Sequence, residues 1–97
     1  MQITKTTDGN KTTFAIEGWL EAQTAPELGA ALDELGIDVE ELVLDLEKLE
    51  YISSAGIRQI VAAHKLLGGN LVVCNVSPEV REVFKLTGID KRVTIVE

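Results

Sequence analysis

Cysteine is almost absent from this sequence: Cys74 is the only one, which excludes an internal disulfide and a cysteine-based zinc site. It lies in an apolar run, where a buried structural thiol is the simpler reading. Long hydrophobic runs are missing as well, and none approaches the roughly 20 residues needed to span a bilayer. The opening Met-Gln-Ile-Thr-Lys has no apolar signal-peptide segment, so a cytoplasmic protein without membrane insertion is expected. Basic residues are outnumbered, 9 against 16 acidic, and a net charge of −7 without a local Lys or Arg cluster argues against a nucleic-acid partner. His64 is the sole histidine. A helix running from Ser54 to His64 would separate the two by about 15 Å, so they cannot form a nucleophile–base pair, and no catalytic residue is expected. Gly68-Gly69 lacks the Lys-Ser or Lys-Thr that follows the glycines of a phosphate-binding loop. The acidic residues Asp38 to Glu41, Asp45 and Glu47 lack a calcium-loop pattern and read as solvated charge, so neither cofactor nor metal is expected.

What is present suits a folded chain. With 97 residues and a hydrophobic fraction of 45%, positions 1–97 are expected to form one domain. Gln2 to Thr7 and Lys11 to Gly18 read as an antiparallel pair turned at Asp8-Gly9-Asn10, with Phe14 and Ile16 facing inward and Trp19 outward by parity. Thr24-Ala25-Pro26-Glu27 reads as a capping box opening a helix along Leu28, Leu32 and Leu35, with Gly36 as its stop. A strand follows from Glu41 to Leu46, then a helix from Ser53-Ser54 to just before Gly68-Gly69. Leu71 to Cys74 gives a strand, Ser77-Pro78 to Gly88 a third helix carrying Val80, Val83 and Phe84, and Val93 to Val96 a last strand. The order is β-β-α-β-α-β-α-β. Strands separated by helices run parallel through right-handed crossovers, which predicts an α/β fold: a mixed sheet of four to five strands with a layer of three principal helices.

Three stretches carry a resemblance. Leu44-Asp45-Leu46-Glu47-Lys48-Leu49-Glu50-Tyr51-Ile52-Ser53-Ser54-Ala55-Gly56-Ile57-Arg58 resembles the signature of the STAS family, a strand and short connection followed by Asp-Ser-Ser-Gly-Leu or a variant at a helix start. Gly18 to Leu28 is similar to the family's Gly-x-Leu-Asp-x-x-x-Ala-Pro-x-Leu segment, and Phe84 to Lys91 resembles its C-terminal motif. Ser53 stands where many members have Asp, Ala55 where many have a second Ser, and Glu21 where many have Asp. The resemblance implies a STAS-type sheet and an anti-sigma factor antagonist, which binds a serine-kinase anti-sigma factor and is switched off by phosphorylation. The acceptor serine falls on Ser54, with Ser53 as the runner-up. The implied partners are that kinase and a serine phosphatase. The alternative within the family is an unphosphorylated STAS subunit of a lipid-transport or stress-signalling assembly.

The residues themselves leave two readings of this segment open. Ser53 and Ser54 suit plain helix caps, and a helix start equally suits a phosphate, because its unpaired amides and positive dipole end favour an oxyanion. On the helix that follows, Ile57, Ile60, Val61 and Leu67 share a face, with His64 at the core edge. Ser54, Ala55, Arg58, Gln59 and Ala62 form the expected exposed strip, and with Glu21, Ser53 and Gly56 they make the candidate partner surface. Trp19 has two readings, an interface anchor beside this surface or a ring packed on a loop.

Overall fold

The computed structural model describes residues 1–96. Among them a hairpin, β1 (Gln2–Asp8) and β2 (Lys11–Leu20), precedes α1 (Ala25–Asp33), β3 (Glu41–Asp45), β4 (Leu49–Ile52), α2 (Ser54–Leu66), β5 (Leu71–Cys74), α3 (Pro78–Thr87) and β6 (Thr94–Val96). The sheet is six-stranded, in the order β1-β2-β3-β5-β6, with β4 paired to β2. β1 runs antiparallel to β2, and every other pairing is parallel, as the helical crossovers require. The α/β class and the alternation of elements are those expected from the sequence. The strand count of four to five is corrected to six, because β4 lies in the segment read as a connection between β3 and α2.

Register explains where the core sits. Phe14 lies opposite Leu44, Leu42 opposite Leu71, and Leu44 opposite Val73, so successive strands present their apolar residues to one face. All of these are buried, in one cluster with Leu28 and Leu32 of α1, Ile57 and Ile60 of α2, and Val80 and Phe84 of α3. The helices therefore cover that face. Burying a side chain of this size stabilises the fold by about 1.5–3 kcal/mol. The alternate residues Thr13, Ala15, Val43, Val72 and Cys74 are half-buried.

Helix ends follow local chemistry where the sequence supplies it. The Ser77 hydroxyl accepts from the Val80 amide at 3.2 Å and caps α3, and Gly88 closes that helix in the left-handed region at φ +77°. α1 differs from the capping-box expectation: Thr24 has helical dihedrals and makes no side-chain cap, and the helix stops at Asp33, short of Gly36. Asp45, read as solvated charge, is half-buried and structural. One of its carboxylate oxygens accepts from the Glu47 amide (3.1 Å) and from Asn75 Nδ2 (3.0 Å), tying the ends of β3 and β5 together. Burial and the carboxylates of Asp45 and Glu47 push the Cys74 thiol above its ordinary pKa, with Lys11 opposing. A thiol held protonated is a poor nucleophile. The pH–rate profile for alkylation of Cys74 by iodoacetamide should accordingly be displaced to higher pH than that of a free cysteine, and a displacement to lower pH would contradict this assignment.

Candidate functional site

The site is built where β2 and β4 end and α2 begins. The Ser53 amide donates to the Leu20 carbonyl at 2.9 Å, and the Ser53 carbonyl accepts from the Ile57 amide at 3.0 Å. These bonds fix the start of α2 against the end of β2. Close approach is possible because residue 56 is glycine: a Cβ there would lie 2.7 Å from Ile52 Cγ1, 2.8 Å from Leu20 Cγ and 3.0 Å from the Leu20 carbonyl oxygen. Gly56 is buried. It therefore serves packing and is withdrawn from the candidate partner surface.

The two serines are placed differently. Ser53 is the N-cap residue of α2 in position only. It is extended at φ −107° and ψ 178°, and its hydroxyl makes no capping bond. The Ser53 Oγ is shielded from solvent and has no hydrogen-bond partner. Ser54 is exposed. The first turn of α2 contains no acidic side chain, whereas Glu27 and Glu79 occupy the first turns of α1 and α3. The positive end of the α2 dipole thus lies beside the Ser54 hydroxyl without a carboxylate of its own turn to offset it.

The helix phase follows the sequence reading, but the expected exposed strip is interrupted, because Ala55 packs against the core and Gln59 is half-buried beside Gly29 of α1. Arg58 and Ala62 are exposed, Ala55 and Gln59 are half-buried, and Gly56, Ile57, Ile60 and Ala63 face the core. Val61, His64 and Leu67 are half-buried at its margin. His64 lies near the far end of α2, where its carbonyl accepts from the Gly69 amide at 2.9 Å, remote from Ser54.

The loop from β2 to α1 forms the second wall of the site, and Thr24 organises it. Its hydroxyl donates to the Trp19 carbonyl at 2.7 Å and accepts from the Glu21 amide at 3.0 Å. A Glu21 carboxylate oxygen accepts from the Gln23 amide at 3.1 Å, which holds that side chain on the loop. Thr24→Val keeps the shape and deletes both of these hydroxyl bonds together with a longer one from the hydroxyl to the Glu21 carbonyl (3.4 Å), so it should cost about 1–3 kcal/mol. Thermal unfolding should show this as a fall of several degrees, given roughly 4–8 °C per kcal/mol at this size. An unchanged midpoint would show that water replaces the hydroxyl without penalty.

Trp19 packs on Tyr51, its register partner across β2 and β4, with ring centroids 5.2 Å apart and planes tilted by 44°. The pair remains open to solvent, Trp19 at 57% and Tyr51 at 45%. Trp19 thus packs on a strand neighbour rather than on a loop, and it lies next to Leu20, which holds Ser53. Tyr51 was not singled out in the sequence because β4 was not. Its signal was only its place two residues before Ser53.

Among the described residues no group of three His, Cys, Asp or Glu side chains could hold a metal ion, and no helix is long and apolar enough to cross a membrane. The architecture is a mixed sheet under a helical layer, with Ser54 exposed at the start of α2. The profile of the STAS domain matches residues 2–97, and the chain belongs to that family. BtrV of Bordetella bronchiseptica, which carries the name of an anti-sigma factor antagonist, is 48% identical over 44 residues. That match covers 42% of this chain and 38% of BtrV. An anti-sigma factor antagonist from Mycobacterium paratuberculosis superposes with a TM-score of 0.86 at 26% identity, over 97% of this chain and 83% of its own. The Bacillus cell-fate determinant SpoIIAA in its phosphorylated form gives a TM-score of 0.67 at 17% identity, over 99% of this chain and 92% of its own, a likeness of fold.

Proposed function

We propose that this chain is an anti-sigma factor antagonist that sequesters a serine-kinase anti-sigma factor and is released from it when Ser54 is phosphorylated. The observation that carries the proposal is the contrast between the two serines: Ser54 is exposed, and the Ser53 hydroxyl is shielded from solvent. A kinase must bring the γ-phosphoryl group of ATP in line with a serine oxygen, so the exposed hydroxyl is the competent acceptor. In that step the Ser54 Oγ–P bond forms, the bond to ADP breaks, and the serine proton is lost. The chain is the substrate and contributes no catalytic group.

The product is compatible with the fold, because a phosphate on Ser54 meets the amide end of α2. The names of BtrV and the mycobacterial protein support the antagonist reading, and a phosphorylated form of SpoIIAA supports a phosphate on this fold. Incubation with the cognate anti-sigma kinase and ATP should add one phosphate to the wild-type chain. Mass spectrometry should place it on Ser54, with Ser54→Ala unmodified and Ser53→Ala still modified. Phosphate on Ser53 instead would overturn the assignment. A complex that persists whether or not Ser54 is modified would favour a constitutive subunit of a larger assembly.

A further inference from the structure

Arg58 is the fourth residue after Ser54 on α2, and both are exposed. Residues four apart on a helix are surface neighbours, with Cβ atoms about 5–6 Å apart. A long helical side chain leans towards the N-terminus and covers the turn before its own Cα, so Arg58 reaches back over the turn that holds Ser54. Nothing else on α2 competes for it. The residues three and four away from Arg58 are Ser54, Ala55, Val61 and Ala62, and α2 contains no Asp or Glu. On the neighbouring loop, the Glu21 carboxylate already accepts from the Gln23 amide. Among the described residues the Arg58 side chain has no hydrogen bond or ion pair. An unpaired guanidinium thus stands beside the candidate acceptor.

We propose that Arg58 is a built-in clamp for a phosphate on Ser54, so that modification adds negative charge and at the same time takes up the only cation of the candidate partner surface. This role rests on the Ser54 reading above. Phosphoserine at i and Arg at i+4 stand in the favourable order, with the anion nearer the helix N-terminus and the cation nearer its C-terminus. The planar guanidinium fork donates two parallel N–H bonds to two phosphate oxygens, a geometry that an ammonium group lacks. The charge of the strip then changes sign. Unmodified, it carries the single positive charge of Arg58, and a phosphate of about −1.5 to −2 brings it to about −0.5 to −1. The clamp closes within one turn of helix, so the backbone of α2 stays in place and a partner meets a change of charge rather than of shape. Because both groups are exposed, the pair adds little to stability, and its effect lies on the surface it alters.

The test uses the 97-residue chain with phosphoserine installed at position 54 during synthesis, in wild-type, Arg58→Gln and Arg58→Lys forms, each beside its unmodified counterpart. The unmodified forms should melt alike, because Arg58 is exposed and unpaired. Phosphoserine should raise the melting temperature of the wild-type chain by about 2–4 °C more than that of Arg58→Gln. Arg58→Lys should keep part of that difference, and salt at about 1 M should remove most of it. In nuclear magnetic resonance spectra the phosphorylated wild-type chain should show a coupling across the hydrogen bond between phosphorus and a guanidinium nitrogen, a signal that a merely structural arginine would not give. An equal shift in all three forms, or absence of the coupling, overturns the clamp. The Ser54 assignment would survive that result, since the kinase assay above decides it separately. If the clamp forms but the kinase modifies Ser53, the Ser54 reading falls and the switching role of Arg58 with it.

Discussion

Gly56→Ala is expected to destabilise the chain by about 2 kcal/mol, lowering its melting temperature by roughly 8–16 °C. Two effects oppose each other at this position. Alanine is the better helix former by about 0.8–1 kcal/mol, which favours the variant. Its Cβ, however, would lie 2.7 Å from Ile52 Cγ1, 2.8 Å from Leu20 Cγ and 3.0 Å from the Leu20 carbonyl oxygen. Overpacking of this kind costs about 1–3 kcal/mol and occasionally more. The upper part of that range applies, because the Leu20 carbonyl is held by the Ser53 amide at 2.9 Å and cannot move without breaking the joint between β2 and α2.

Gly29→Ala is the internal control. Its Cβ would meet the Gln59 carboxamide at 3.2 Å, the mobile end of a long side chain. Gln59 can swing aside, so the propensity gain should roughly balance the contact. Equal and small effects of the two substitutions in thermal unfolding would show that α2 does not depend on close approach at Gly56.

The parts of this fold that were legible in the sequence are those where one physical signal acts alone. Lys11 to Gly18 alternates, and Phe14 and Ile16 do face the core. Leu71 to Cys74 is an apolar run between turns and is β5, with the bounds the pattern implies. The phase of α2 follows from spacing, which separates Arg58 and Ala62 from Ile57 and Ile60.

β4 has no such signal. Its two middle residues, Glu50 and Tyr51, are both exposed, so alternation is lost, and its pairing with β2 shifts register between Gly18 and Trp19. Thr24 shows a different failure. Thr-x-x-Glu is the correct local pattern for a capping box, yet the folded loop offers the hydroxyl the Trp19 carbonyl and the Glu21 amide, and those contacts win. The proposal of Ser54 as acceptor began from family resemblance, whereas the burial of Ser53 Oγ had no signal in the sequence. The Ser53 backbone is held by the Leu20 carbonyl beside the close approach of residues 20, 52 and 56, a tertiary arrangement that no pattern within the motif encodes.

On the proposed switch, Ser54→Asp is expected to weaken binding to the anti-sigma kinase by ten- to hundredfold while leaving the fold intact. A carboxylate at the start of α2 meets the positive end of the helix dipole, an interaction worth about 0.3–1 kcal/mol in favour of the variant. The melting temperature should therefore stay level or rise slightly. In the complex the same carboxylate is pressed into a contact built for a neutral hydroxyl. Leaving a buried polar group unsatisfied costs about 1–3 kcal/mol, more when it is charged, and each 1.4 kcal/mol is tenfold in affinity.

Phosphoserine carries about −1.5 to −2 charges, against −1 for aspartate, so genuine phosphorylation should exceed the Asp variant in effect. Ionic strength separates the two contributions to the loss. Repulsion from any acidic groups of the partner is screened as salt rises and the Debye length falls from about 10 Å at 0.1 M to 3 Å at 1 M, whereas the desolvation cost is not. Titration calorimetry at both salt concentrations should recover part of the lost affinity at the higher one. Unaltered affinity of Ser54→Asp and of the phosphorylated chain at low salt would mean that Ser54 lies outside the contact.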